Sequence, residues 1–358
     1  MNIYYFLLTS VCMSDVAPFS KDVNPNARVL SDGYVLSNLK QILRVADNNN
    51  FGIPACNARS KWIAEAILDA AWEAKSPMIV EIAESEAGYC PMPPARLSDI
   101  VHEGIEKRIK KYGYSIPVCL HHDHIQKDVD GCVQRSIDAG FSSVEVDLSK
   151  KPLEENIKKC YEVAEKIHPL GISLEVEEGE IGVAAALSDP NIEENIADYY
   201  TKTEDAVKLV QAVKPEACAF FVGNGHGVYL KEPHIGIERV KEICDKIRPL
   251  DAYGVLHGGT GIQPEMFVKA VEAGARKFNY ATALQNIWFK YFPDTLVEAM
   301  EKKAKEMDKP FRKVLYLFED EIAKLDHREA IEEIKEHLIM MFQAAFLCDG
   351  KADLYRTK

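Results

Sequence analysis

No Cys-x-x-Cys pair occurs in this sequence, although it carries nine cysteines in 358 residues. Odd in number and scattered singly, they exclude a disulfide framework and a cysteine-rich zinc site, and read as reduced, mostly buried intracellular thiols. Positive charge is also scarce: 43 Lys and Arg face 56 Asp and Glu, a formal net charge of −13. A surface of that sign repels phosphate backbones and anionic bilayers, so neither nucleic acid nor membrane is an expected partner. No apolar run reaches transmembrane length. Tyr4 to Cys12 comes nearest, yet it is too short to span a bilayer and lacks a positive n-region and a small-residue cleavage site. It reads as a mobile N-terminal arm, with Met13 as an alternative start, and the expected location is cytoplasmic. Internal repeats, low-complexity tracts and interdomain linkers are missing too.

What the sequence has is a regular alternation. Short apolar or β-branched runs recur at Phe51 to Cys56, Met78 to Ala83, Ile116 to Leu120, Ser143 to Asp147, Ile172 to Val176, Cys218 to Val222, Tyr253 to His257 and Lys277 to Tyr280. Helix-patterned segments separate them. Lys61 to Ala74, for example, sets Ile63, Ala66, Ile67, Ala70 and Ala71 on one stripe. Eight strand–helix units predict an α/β fold closed as a (β/α)8 TIM barrel over residues 31–292, after an N-terminal arm at 1–30 and before a C-terminal helical extension at 293–358. The extension has apolar stripes (Val314, Leu317, Phe318; Leu338, Met341, Phe342) that could cover a partner subunit or its own barrel, and a homodimer is expected. Glu177 to Asp205 is longer than an ordinary βα connection and reads as a lid or a disordered insert.

Barrels of this kind build their sites at the carboxyl ends of the strands. There strand three runs into His121-His122-Asp123-His124, strand six into Gly223-Asn224-Gly225-His226-Gly227, and strand seven into His257-Gly258-Gly259-Thr260-Gly261. Three strand ends with histidine at one rim suit a catalytic zinc, which takes three protein ligands and keeps a position open. His102, His168, His234, His327 and His337 stand alone and read as structural. Gly225, Gly227, Gly258, Gly259 and Gly261 let the backbone approach a ligand and expose amides to phosphate, and Asn279-Tyr280-Ala281-Thr282 closes the same side after strand eight. A tight βα turn needs glycine with no ligand at all, so these turns count only together. Asp123 stands where a general acid or base would face substrate. Asp147 ends strand four; Glu175 and Glu177 end strand five on one face, each as well suited to an interior salt bridge as to a metal.

These turns, in order, together with FSSVEVDLSKKPLEENI over 141–157, resemble the class II, zinc-dependent fructose-bisphosphate aldolases, collinearly from about Val45 to Phe346. The resemblance implies zinc on His124, His226 and His257, a second or alternate metal position at Asp147 and Glu177, and Asp123 serving the C4 hydroxyl during carbon–carbon cleavage. It implies phosphate and substrate contacts at Gly227, Gly258, Gly259, Thr260, Asn279 and Thr282, with Asn57 added after the first strand, and a monovalent cation in the phosphate loop. Arg328, in Asp326-His327-Arg328, resembles an arginine that reaches a phosphate across a dimer, with His327 in place of proline. The implied reaction is reversible cleavage of fructose 1,6-bisphosphate to dihydroxyacetone phosphate and glyceraldehyde 3-phosphate, in glycolysis and gluconeogenesis. Three departures stand out. The lid has Val183-Ala184-Ala185-Ala186 instead of an acidic pair, which leaves Glu180, Glu193 and Glu194 as candidates, with Glu194 preferred. Ala281 stands where an aspartate is common and is reminiscent of tagatose-bisphosphate relatives. Ala83-Glu84-Ser85 stands where a phosphate-side serine is usual. Another ketose bisphosphate, such as tagatose 1,6-bisphosphate, and a non-catalytic metal-stabilised barrel that binds sugar phosphate are therefore the alternatives.

Overall fold

In the computed structural model, which describes residues 16–355, eight strands close into a barrel: β1 (Ile53–Asn57), β2 (Met78–Ala83), β3 (Val118–Ile125), β4 (Ser143–Val146), β5 (Ser173–Glu178), β6 (Ala217–Phe220), β7 (Tyr253–Leu256) and β8 (Ala275–Tyr280). Each pairs in parallel with the next, and β1 with β8. Nearly every strand residue is buried, because one face lines the barrel and the other lies under helices. That double burial is why the strands read as continuous apolar runs and not as alternating ones. All eight expected strands are present within a few residues. The exception in extent is β3, which carries the His121 to His124 segment inside the strand and not after it.

The N-terminal end of the barrel is closed by the helix Leu39–Asn48. Asn38 starts that helix with a capping box: its side chain accepts from the Gln41 amide, and the Gln41 side chain accepts from the Asn38 amide. The Asn38 side-chain amide also donates to the carbonyls of Ala17 (3.1 Å) and Gly171 (2.9 Å), and Phe19 and Ala27 are buried, so residues 16–30 are packed onto the barrel. The apolar stretch Tyr4 to Cys12 lies outside the described residues. Ser60 caps the helix Lys61–Glu73 by accepting from the Ile63 amide, and that helix buries the stripe the periodicity predicts.

The C-terminal extension covers its own barrel. The helix Arg328–Met341 buries Ala330, Ile334, Leu338 and Met341 and lies on Lys61–Glu73. Phe346 follows with its ring 5.0 Å from Phe267 and 5.6 Å from Phe278. Most of its apolar surface is thereby used without a partner. His327, at the start of this helix, stacks on Trp62 at 3.8 Å and accepts from the Trp288 indole, a packing role in place of a proline. His102 bonds to Ser98 and His337 to Tyr280, so these two are also engaged structurally. Eight cysteines among the described residues are buried and free, and no described helix is long and apolar enough to cross a membrane. The long β5–β6 connection is folded into short helical turns at Ala184–Ser188, Pro190–Glu194 and Ile196–Tyr199.

Candidate active site

The site begins with an irregularity in β3. The register against β4 shifts between His122 and Ile125, and His124 sits there with φ at +47°. In a regular strand Asp123 and His124 would point to opposite faces; the bulge turns both toward the barrel mouth. A non-glycine residue in the left-handed region costs about 1–3 kcal/mol and persists only where its surroundings enforce it. Here the His124 amide donates to Glu145 Oε2 (2.9 Å) and its ring Nδ1 lies 3.1 Å from Asp147 Oδ2. Upstream the strand alternates as usual: His121 faces the interior beside Glu175, and His122 faces the helices and bonds to Ser136.

Around His124 several donors converge. Its ring centre is 4.4 Å from that of His257 and 4.8 Å from that of His226, which the turn after β6 delivers. Glu145 Oε1 lies 3.6 Å from His124 Nδ1 and 3.7 Å from His257 Nε2; Glu177 Oε2 lies 3.8 and 3.9 Å from the same two atoms. Asp147 and Glu177 are bridged by the Ser149 hydroxyl, which lies 2.7 Å from Asp147 Oδ1 and 2.9 Å from Glu177 Oε1. Glu145 Oε1, Glu177 Oε2 and His124 Nε2 are buried without a hydrogen-bond partner. Unpaired buried carboxylate oxygens facing imidazole nitrogens at these separations fit a divalent cation, whose bonds to such ligands are about 2.0–2.2 Å long.

The electrostatics agree. Burial pushes Glu145 and Glu177 well above the usual carboxylate range. Burial alone would keep His124 neutral, but Glu145, Asp123 and Asp147 outweigh it and hold the ring well above its ordinary value. Burial, with His124 and His257 beside it, pushes His226 down to about 3, which leaves it a neutral donor. Burial thus penalises charge on Glu145 and Glu177, and a divalent cation between them and the imidazoles would relieve that penalty.

A second network lies beneath. Lys277 is fully buried; its Nζ donates to Glu175 Oε1 (3.0 Å) and Asn279 Oδ1 (2.8 Å), and the Asn279 amide donates to Asp123 Oδ1 (2.8 Å). Asp123 is therefore aimed through a chain that starts at β5. Although burial would raise it, His124 and Lys277 hold Asp123 well below its usual range, so it is ionised and able to take a proton. Glu81 and His121 complete this interior layer. Glu81, Glu145 and Lys277 did not figure among the sequence candidates.

Above the cluster opens a cavity of about 690 Å³, within the range of small-molecule sites. Asp123, His124, Asp147, Glu177 and His226 line it, as do Asn57, Gly227, Gly258, Gly259, Thr260, Asn279 and Thr282. Thirteen of the sequence candidates thereby share one place once His257, just beneath, is counted. Gly227 has φ of +96° and open space where a side chain would be, while a Cβ on Gly258 would run into the Gly225 carbonyl. The first glycine opens the cavity and the second allows two βα turns to touch. Thr282 starts the helix Thr282–Phe289, and Thr260 Oγ1 accepts from the Ala283 amide, which ties the turns after β7 and β8 together. Asn57 donates to Glu86, which also pairs with Arg59 (2.5 Å).

Two candidates are not brought there. Glu194 is exposed at the end of the short helix Pro190–Glu194 and does not line the cavity. The reason is a pair of backbone hydrogen bonds, Ala184 N to His226 O and His226 N to Gly182 O, both 2.9 Å, which pin the lid at Gly182 to Ala184 and leave Glu180 as its carboxylate on the cavity, 3.2 Å from Lys150. Arg328 is exposed and paired with Asp326 at 2.9 Å, away from its own chain's cavity. Sequence reading also passed over Arg312 and Lys313, which the extension brings to the cavity wall.

Several aldolases resemble this chain in sequence and fold. The family model described as fructose-bisphosphate aldolase class-II matches residues 37–346. A fructose-bisphosphate aldolase of Staphylococcus aureus is 32% identical over 251 residues, 70% of this chain and 82% of that protein. A 6-phospho-5-dehydro-2-deoxy-D-gluconate aldolase of Halalkalibacterium halodurans is 32% identical over 256 residues, 71% of this chain and 82% of that protein. Among solved structures, the YdjI aldolase of Escherichia coli K12 superposes with a TM-score of 0.64 at 26% identity, covering 88% of this chain and 99% of that one.

Proposed function

The chain belongs to the class-II fructose-bisphosphate aldolase family and is an aldol-cleaving lyase, and we propose that it cleaves fructose 1,6-bisphosphate reversibly into dihydroxyacetone phosphate and glyceraldehyde 3-phosphate. One observation carries this reading: Asp123 stands between the metal-binding cluster, 3.9 Å from His124 Nε2, and the Asn279 amide that aims it into a cavity walled by the two glycine turns. His124, His226 and His257 would hold zinc, with Asp147 and Glu177 serving an alternate position; when bound, the metal supplies Lewis acidity toward the ketose C2 carbonyl. Asp123, ionised and oriented, takes the proton of the C4 hydroxyl as the C3–C4 bond breaks. Lys277 and Asn279 keep that carboxylate in line. Glu180 replaces Glu194 in our assignment of the lid acid that exchanges the C1 proton. Gly227, Gly258, Gly259 and Thr260 offer amides and a hydroxyl to one phosphate, beside a monovalent cation, and the amino end of Thr282–Phe289 adds its dipole. Arg312 and Lys313 offer charge to the distal phosphate from the same chain.

In this reading the enzyme serves glycolysis and gluconeogenesis in the cytoplasm as a homodimer, with Arg328 reaching a phosphate held by the neighbouring subunit. Sedimentation at working concentration tests the dimer; a monomer removes that role from Arg328. Cleavage of fructose 1,6-bisphosphate should vanish with chelator and return with zinc. A second substrate is favoured by Ala281, whose small side chain lines the cavity, and by the relative named for a deoxygluconate phosphate. Incubating the zinc-loaded enzyme with dihydroxyacetone phosphate and a panel of aldehydes decides between them: fast condensation with another aldehyde and none with glyceraldehyde 3-phosphate overturns the fructose assignment.

A further inference from the structure

We propose that Glu145 is itself a ligand of the metal, so that the ion can sit in a deeper position between His124 and His257 with oxygen supplied from β4. The case rests on four observations. Glu145 is fully buried in the middle of a strand, and its two oxygens face different tasks. Oε2 accepts from the His124 amide at 2.9 Å and so helps hold the β3 bulge. Oε1 has no hydrogen-bond partner and is directed at the two imidazoles, 3.6 Å from His124 Nδ1 and 3.7 Å from His257 Nε2. Ligand atoms about 2.0–2.2 Å from one ion lie roughly 3–3.6 Å apart when they share an edge of its coordination polyhedron, so a small closure would bring all three into bonding reach. Glu177 Oε2 stands at matching distances and completes a set of two nitrogens and two oxygens.

Neighbouring carboxylates are accounted for differently. Glu175 also approaches His257, at 3.3 Å, but both of its oxygens are 3.0 Å from the Lys277 ammonium, which answers its charge. No lysine or arginine ion-pairs with Glu145 among the described residues; the basic side chains within 4 Å of it are the two histidines. A buried carboxyl in that setting either keeps a proton or meets a cation, and the ion at the three-histidine rim is the nearest one the fold provides for. Two carboxylates beside two imidazoles also harden the site, which favours manganese or ferrous iron relative to a three-imidazole set.

The proposal rests on the metal-dependent reading above, and cobalt titration of the full chain, stripped and refilled, separates the two. Wild-type protein should bind one Co2+ in the His-carboxylate cluster with a visible d–d spectrum; no binding overturns both readings. E145Q keeps the shape and removes the ligand charge. It should weaken Co2+ at least about 10-fold by chelator competition, shift the d–d bands, and lower the Mn2+ to Zn2+ affinity ratio. E145D retains the charge but withdraws the oxygen, and should shift the spectrum in the same way should E145Q not fold. A role in holding the bulge alone would weaken all three metals alike and leave the Mn2+ to Zn2+ ratio fixed. Unchanged bands and an unchanged ratio in either folded variant overturn the assignment of Glu145 while leaving the aldolase reading intact.

Discussion

Replacing Lys277 by methionine keeps most of the side-chain volume and deletes one charge at the centre of the barrel. The consequence can be worked from the contacts: Nζ lies 3.0 Å from both Glu175 oxygens, 2.8 Å from Asn279 Oδ1, 3.5 Å from Glu81 and 3.9 Å from Asp123, all of them buried. Breaking a buried pair by removing one member leaves the other charge uncompensated, at a cost of about 3–5 kcal/mol. That is a large part of the roughly 5–15 kcal/mol that typically holds a domain folded. Urea denaturation followed by circular dichroism, at equal metal loading, should therefore show Lys277→Met losing about 3 kcal/mol or more. Adding Glu175→Gln should recover most of the loss, since a neutral amide in the same place needs no cation. Cleavage should fall in kcat with little change in KM, because Asn279 loses the donor that fixes its carbonyl and with it the aim of Asp123. A Lys277→Met protein within about 1 kcal/mol of wild type, or a double variant no more stable than the single one, would refute the reasoning.

Four further outcomes are expected. Asp123→Asn, nearly isosteric, should cut kcat by about 10²–10⁴ while leaving Co2+ affinity within a few-fold, as a lost proton acceptor would; parallel loss of metal would show instead that Asp123 is chiefly a ligand. Exchange of the C1 proton of dihydroxyacetone phosphate should slow at least about 10-fold in Glu180→Gln and stay near wild type in Glu194→Gln, and the reverse order would return the lid role to Glu194. Arg312→Ala with Lys313→Ala should raise KM for a bisphosphate but not for a substrate lacking the distal phosphate; equal effects on both would remove them from recognition. His102, buried and pushed down to about 4 chiefly by desolvation, should make the fold acid-sensitive. The unfolded chain takes that proton near 6.5, whereas the folded one resists until about 4. Relative to His102→Asn, wild type should then lose up to about 3 kcal/mol between pH 7 and pH 4, and a pH-independent difference in urea stability would contradict this.

How far the sequence reveals the barrel depends on what each position is buried against. Parallel strands covered on both sides give unbroken apolar runs, so all eight were visible, and histidine at three strand ends was visible for the same reason: polar residues stand out where such a run stops. The β3 bulge was hidden, because nothing in His-His-Asp-His says that the fourth residue takes a left-handed conformation; that is enforced by Glu145 from the next strand. Glu194 was preferred to Glu180 for a related reason. Spacing along a loop carries no register, and two hydrogen bonds to the His226 backbone fix which lid residue meets the cavity.

Glu81, Glu145 and Lys277 were missed even though a signal for them existed. Each interrupts a strand at MIVEIA, SVEV or ARKFNY, and period-two alternation alone assigns such a residue to one of two faces without saying which is wet. In a closed barrel neither is. The outward face meets apolar helices, where a lone charge has no partner and would cost several kcal/mol, whereas the inward face can collect opposite charges from neighbouring strands. A charged residue in a (β/α)8 strand therefore points inward unless a helix supplies its partner, as Asp47 does for outward-facing Arg276 (2.8 Å), and two inward acids with one lysine leave more acid than base in the same layer. Counting that excess with Glu175, Glu177, Asp123 and Asp147 against Lys277 indicates a cation at this end of the barrel without reference to the histidines at all.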